Sequence, residues 1–227
     1  MLQALTEIVP IAVGLALVNP LPVMAVILLL FSPRAGAVAW AFVGGWLMGL
    51  VLMMAMLVFV VPAERLVGTE QDPTELVSII RVALGAALLV LAYRKWNARP
   101  RDGEKAKLPG WVTSLQNSSP RTAMGIGLAM GAVNPKNLIF AISAAVAIAE
   151  TQAPAPTMLA LIAAYVLIGS VGVLGPVIWR TVAQASATIA LQEWRVWLER
   201  NYNVMMGVIF VFFGIMVASK GIQGFLH

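Results

Sequence analysis

Asn134-Pro135-Lys136-Asn137 lies in the middle of an apolar run from Met124 to Ala149. About 20 apolar residues suffice to cross a bilayer, so this run is long enough. A lysine and two asparagines at that depth are costly unless they have partners or a task. Proline lacks an amide hydrogen and clashes with the preceding turn, so an unbroken helix through Pro135 is disfavoured. The pattern predicts a break, with Asn134 capping a new half-helix and Pro135 as its first residue. Backbone groups freed by such a break are tolerated only where protein or a water-filled cavity satisfies them. Lys136 adds a positive charge to a helix N-terminus that is already partly positive. The chemistry these groups could perform is the binding of an anion inside the membrane.

A second break of the same kind precedes it. Asn19-Pro20-Leu21-Pro22 interrupts the first apolar run, Ile8 to Phe31. Asn19 and Asn134 are 115 positions apart in a chain of 227. Matched breaks in corresponding segments of two halves mark the substrate site of many secondary transporters. The candidate substrate-binding residues are therefore Asn19, Pro20, Pro22, Asn134, Pro135, Lys136 and Asn137. Each has a blander reading. The two breaks could be unrelated proline kinks, although both begin with Asn-Pro at matching places. Lys136 could snorkel to the interface or bond carbonyls of the first span. The asparagines could be helix caps and nothing more.

These breaks must be held by membrane helices. Sixty per cent of the residues are hydrophobic and only 11% are charged. A soluble domain is closer to half apolar and a quarter charged. The chain reads as an all-α integral membrane protein. The first apolar run is too long for a signal-peptide core, and no lysine or arginine precedes Arg34, so it is expected to be the first span. There is no cysteine, and the only histidine is His227. The net charge of +5 fits cytoplasmic loops facing anionic lipid, with no nucleic-acid partner.

Six transmembrane helices are expected, at about Leu5–Phe31, Ala37–Val61, Leu76–Trp96, Thr122–Ala149, Met158–Trp179 and Val204–Phe225. The first and fourth are broken at Asn-Pro. Gly44, Gly45 and Gly49 in the second span allow close helix approach, and Gly169, Gly172 and Gly175 give the fifth a similar character. Residues 1–97 form a first three-helix repeat and 121–227 a second. Between them lies a basic linker, 98–120, with Arg99, Arg101, Lys105 and Lys107 in and around it. A stretch at about 184–201 carries Ile189, Trp194, Trp197 and Leu198 at helical spacing. It reads as an interfacial helix, with a helical extension of the sixth span as the competing reading.

Basic residues orient the chain. Of 15 lysines and arginines, 11 fall on the side that holds the 98–120 linker. Three (Arg65, Arg81 and Lys220) fall on the other side, and Lys136 lies within a span. The linker side is therefore expected to be cytoplasmic, with both termini outside. An odd number of spans per half inverts the second repeat relative to the first. The expected location is the cytoplasmic (inner) membrane.

Other chemistries fit less well. General acid–base catalysis requires a histidine, carboxylate or similar group in the site. Glu7 and Glu150 lie only at span ends, and Ser143 has no base nearby in sequence, so no enzyme activity is expected. A metal or cation carrier would need clustered carboxylates, histidines or cysteines, and Lys136 would repel a cation. No cofactor is implied. A non-transporting scaffold for envelope lipid assembly leaves the matched breaks unexplained. Membrane lipids are expected partners, and the glycine-rich faces are compatible with a homo-oligomer.

Asn134-Pro135-Lys136-Asn137-Leu138, together with Asn19-Pro20-Leu21-Pro22 and Ser32-Pro33-Arg34, resembles the lysine-exporter (LysE) superfamily. The likeness is strongest to its peptidoglycolipid-addressing (GAP) branch, and it covers nearly the whole chain. Amino-acid exporters of that superfamily more often have Gly-Pro at the first break, so Asn19 favours the GAP branch. The resemblance implies export, by a transporter or flippase, of an amphipathic substrate, glycolipid or lipid-linked, and Lys136 with the half-helix N-termini at Pro20 and Pro135 makes an anionic head the expected one. An amino-acid or small-metabolite exporter is the alternative it leaves open.

Overall fold

The computed structural model of the chain describes residues 2–17, 19–61, 75–100, 115 and 117–225. These residues are helical apart from short turns. The helices are α1 (Leu2–Leu17), α2 (Pro20–Leu29), α3 (Ala35–Phe59), α4 (Glu75–Asn97), α5 (Pro120–Ala132), α6 (Pro135–Glu150), α7 (Ala155–Gly169) and α8 (Val171–Gln223). Most of the 98–120 linker, including Arg101, Lys105 and Lys107, lies outside the described residues, as does Arg65.

Two uninterrupted stretches are long and apolar enough to cross a membrane, Ala35–Phe59 and Ser186–Gln223. Three more candidates are bent pairs. Residues of α1 and α2 meet at 58°, those of α5 and α6 at 57°, and those of α7 and the start of α8 at 67°. Among the described residues this gives up to five spans, and the protein is an all-helical membrane protein.

The first two bends fall at the two Asn-Pro sequences. The third corrects the sequence reading, which took Met158–Trp179 as one continuous helix. The chain turns at Ser170, between Gly169 and Val171. Pro176, the conspicuous helix breaker of that segment, sits inside α8. A proline in a helix interior forfeits one backbone bond, and neighbouring groups in a packed membrane helix can make good that loss.

The chain divides into two compact units. The first comprises Met1–Val67 and Pro109–Arg195, and the second Gly68–Leu108 and Val196–His227. Within the first, α3 and α5 pack closely along two small-residue stripes, Gly45 and Gly49 on one helix and Gly127 and Gly131 on the other. A Cβ added at Gly49 would lie 2.5 Å from the Leu128 carbonyl oxygen, and one at Gly131 would lie 2.6 Å from that of Trp46. Without a hydrophobic drive between helices in lipid, such close backbone packing is a principal source of association. The glycines of the second span therefore seat the first half of the fourth. Gly44, grouped with them by sequence, has nothing within 4 Å of its would-be Cβ.

This contrast gives a controlled prediction. Gly49→Ala is expected to lower the melting temperature of the purified protein by about 3–10 °C, as overpacking of about 1–3 kcal/mol implies. Gly44→Ala is expected to leave it unchanged. Equal effects at both positions would contradict the packing described.

In the second unit α4 runs antiparallel to the end of α8. Gly85 faces Ala218 and Gly214, Gly221 faces Val82, and Asn203 Nδ2 donates to the Ala98 carbonyl at 2.6 Å. The Lys95 ammonium lies 5.3 Å from the Tyr202 ring centroid.

Gln184 adopts φ 31°, ψ −91° inside α8, and the Trp179 and Trp194 rings meet edge-on across that turn at 5.9 Å. Beyond it, Ser186–Gln223 is one helix of 38 residues. Residues 186–201 are helical and lie within it. Trp194 and Trp197 on it are half-exposed.

Candidate substrate site at the paired helix breaks

A helix end leaves its last carbonyls and first amides without partners, and inside a membrane each must be satisfied. The two breaks solve this with side-chain amides. Asn19 Nδ2 donates to the Leu15 carbonyl at 2.9 Å, near the end of α1. Asn137 Nδ2 donates to the Met130 and Gly131 carbonyls, at 2.9 and 3.1 Å, at the end of α5. Each asparagine thus closes the half-helix upstream of its own break. The two breaks also meet, since Asn19 Nδ2 donates to Asn137 Oδ1 at 3.0 Å. Both residues are buried, Asn137 completely.

The downstream half-helices are capped differently. Asn134 behaves as the sequence implies, with its Oδ1 accepting from the Lys136 amide at 3.1 Å. Asn19 occupies the matching cap position of α2 but makes no side-chain cap bond there. Pro20 and Pro22 carry no amide hydrogen, so they remove two of the donors that a cap would have to satisfy. The side chain is then free for the carbonyls upstream and the partner break. Pro22 is buried and Pro20 half-buried; Lys136, the second residue of α6, is also half-buried. Of Pro135 the structure describes only the backbone, at the first position of α6. Asn19 Oδ1 is a buried acceptor with no hydrogen-bond partner.

Sequence reasoning missed a third participant. The bend at Ser170 packs beside the first break. Gly169 lies against Leu15, and Gly172 against Val23 and the Ala16 carbonyl. Trp46 Nε1 donates to Ser170 Oγ at 3.0 Å, and both residues are fully buried. The available signal was Trp46 itself. Tryptophan favours the membrane interfaces, and one in the middle of a span calls for a partner for its N–H. Tyr165, one turn before the bend, is also fully buried, and its hydroxyl has no partner.

The breaks are open on another side. Leu17 is 78% exposed and Val133 is 75% exposed, each within two residues of its Asn-Pro. Polar groups and bare apolar side chains therefore adjoin at both breaks. Among the described residues no cluster of histidine, cysteine or carboxylates could hold a metal.

A family model described as Sap, sulfolipid-1-addressing protein, matches residues 8–223. The chain belongs to the sulfolipid-1-addressing protein family. The match includes both breaks and all of the elements that position them except the first residues of α1. No curated protein and no solved structure matches the chain. Family membership and the apolar helices together make it a lipid-related membrane protein.

Proposed function

We propose that this member of the sulfolipid-1-addressing family is a transporter or flippase that moves an anionic amphipath, glycolipid or lipid-linked, across the cytoplasmic membrane. The observation that carries this reading is the Asn19–Asn137 contact, which joins the two helix breaks in the protein interior. Two half-helix N-termini, α2 and α6, start beside it, and Lys136 lies in the first turn of α6. Positive helix ends with a lysine suit an acidic head. The exposed Leu17 and Val133 offer apolar surface for a tail. The unpartnered Asn19 Oδ1 suits a hydroxyl donor such as a sugar would bring. The family description names a sulfolipid, which is an amphipath with an anionic sulfur-oxyacid head.

The proposal includes the six-span, inverted-repeat plan and kinship with the LysE superfamily. α4, 23 residues long, supplies the remaining span, since Leu76 to Tyr93 carries one charge, Arg81. The first compact unit takes the first two predicted spans of each half, and the second takes the third span of each. That division treats the two halves alike. No bond-making step belongs to this function, and no cofactor is needed. Membrane lipids are the partners, and self-association is compatible with the plan.

Transport is tested in proteoliposomes, by following a fluorescent sulfoglycolipid from one leaflet to the other. Movement no faster than in protein-free vesicles would refute the reading. Its orientation is tested separately. With residue 103 changed from glycine to cysteine, a membrane-impermeant thiol reagent applied to intact cells is expected to give no labelling, and lysed cells full labelling. Labelling of intact cells would invert the topology.

A further inference from the structure

The inner halves of the two broken spans lead from the paired breaks to a common polar cleft. It has a volume of about 290 Å³ and is lined by Ser32, Pro33, Arg34, Asn117, Ser118 and Ser119. The first three residues follow α2, and the last three precede α5. α2 has 10 residues and α5 has 13, so the cleft lies about 15–20 Å along them from Asn19 and Asn134. It is separate from the paired-break site. A volume near the lower end of ligand pockets suits a headgroup rather than a whole lipid.

Its chemistry is one-sided. Among the described residues its lining holds one charged side chain, Arg34, and no carboxylate. Two helices begin at its rim, α3 after Arg34 and α5 after Ser119. Arg121 follows in the first turn of α5, and the Arg195 guanidinium lies 5.5 Å from the ring centroid of Phe31, next to Ser32. Two hydroxyls in the wall are left over. Ser32 is nine-tenths buried and its Oγ has no hydrogen-bond partner; the buried Oγ of Ser118 has none either. Buried hydroxyls without partners are uncommon in folded proteins and call for a missing ligand or water. Ser119 is not part of this surplus, because its Oγ already accepts from the Thr122 amide at 3.2 Å.

We infer that this cleft is a second anion site, which binds a phosphate- or sulfate-type oxyanion through Arg34 and the hydroxyls of Ser32 and Ser118. Arginine presents a planar fork of donors that matches such oxyanions, and each serine adds a donor without adding charge. The oxyanion is either borne on a lipid headgroup or free in the aqueous phase, and both present negatively charged terminal oxygens that accept from the same donors.

The inference does not depend on transport, and its test is equilibrium binding. Purified protein is titrated with sodium sulfate against sodium chloride at constant ionic strength, and separately with short-chain phosphatidic acid against the matching diacylglycerol. Wild type and Lys136→Met are compared, the latter to remove the paired-break lysine. Lys136→Met is expected to retain one saturable site. In that background Arg34→Gln is expected to weaken it about tenfold or more, Arg34→Lys less, and Ser32→Ala several-fold. Saturation by sulfate identifies an aqueous oxyanion, and saturation by phosphatidic acid alone identifies a headgroup. Loss of all binding in Lys136→Met, or unchanged affinity in a folded Arg34→Gln, overturns the proposal. So does the absence of saturable binding of either probe to wild type.

Discussion

Lys136→Met is expected to abolish lipid movement in proteoliposomes while leaving the protein folded. Methionine keeps the length of the stem and removes only the charge. A lysine at membrane depth costs about 2.5–3.5 kcal/mol on insertion scales. Removing that cost offsets whatever the ammonium gains from its protein contacts, so the melting temperature is expected to fall little. Binding of an acidic head loses a charge-assisted hydrogen bond of about 1.5–3 kcal/mol, which is roughly 10- to 150-fold in affinity. Lys136→Arg keeps the charge with a wider, planar head and is expected to retain a fraction of the activity. A purely structural lysine gives a different pattern, in which stability, expression and transport fall together for methionine. Transport at the wild-type rate by Lys136→Met would remove Lys136 from the mechanism.

The breaks around Lys136 were legible because asparagine and proline are conspicuous in an apolar run, and proline constrains the backbone whatever surrounds it. Asn134 and Pro135 take the predicted cap and first-turn positions. The assignment of Asn19 was not legible. A side-chain amide can satisfy the amides ahead of it or the carbonyls behind it, and the local sequence is the same for both. The choice is made by Asn137, 118 positions away. The bend at Ser170 was hidden for the converse reason. It lacks a proline at the break and arises where Gly169 and Gly172 let the chain press against Leu15 and Ala16. Pro10 and Pro176 each sit inside a helix, so proline alone does not decide where a membrane helix breaks. The small-residue stripe at Gly45 and Gly49 was visible, but its partner was not, because Gly127 and Gly131 lie in a segment whose polar break draws attention first.

The Asn19–Asn137 pair is expected to show unequal single effects and a modest coupling. Asn137→Leu removes the donor for two carbonyls, Met130 and Gly131, and the acceptor for Asn19. Asn19→Leu removes the donor for one carbonyl, Leu15, and for Asn137 Oδ1. Buried groups left unpaired cost about 1–3 kcal/mol each, so Asn137→Leu is expected to be the more destabilising by about that amount. The shared bond is worth less than either total. Interhelical hydrogen bonds in membrane proteins average about 0.6 kcal/mol by double-mutant cycles and reach about 1.7. Denaturant unfolding in mixed micelles of the two single variants and the double variant measures all three quantities. A coupling of about 0.5–1.7 kcal/mol, with the double variant less harmful than the sum, is the expected result. Strict additivity would show that the two breaks do not support one another, whatever their distance. Asn137→Asp keeps an acceptor for Asn19, but like leucine it leaves the Met130 and Gly131 carbonyls without their donor, and it sets a buried carboxylate beside them. It is therefore expected to be at least as destabilised as Asn137→Leu in the same unfolding measurement. A stability between that of Asn137→Leu and wild type would show that the bond to Asn19 outweighs the two carbonyls.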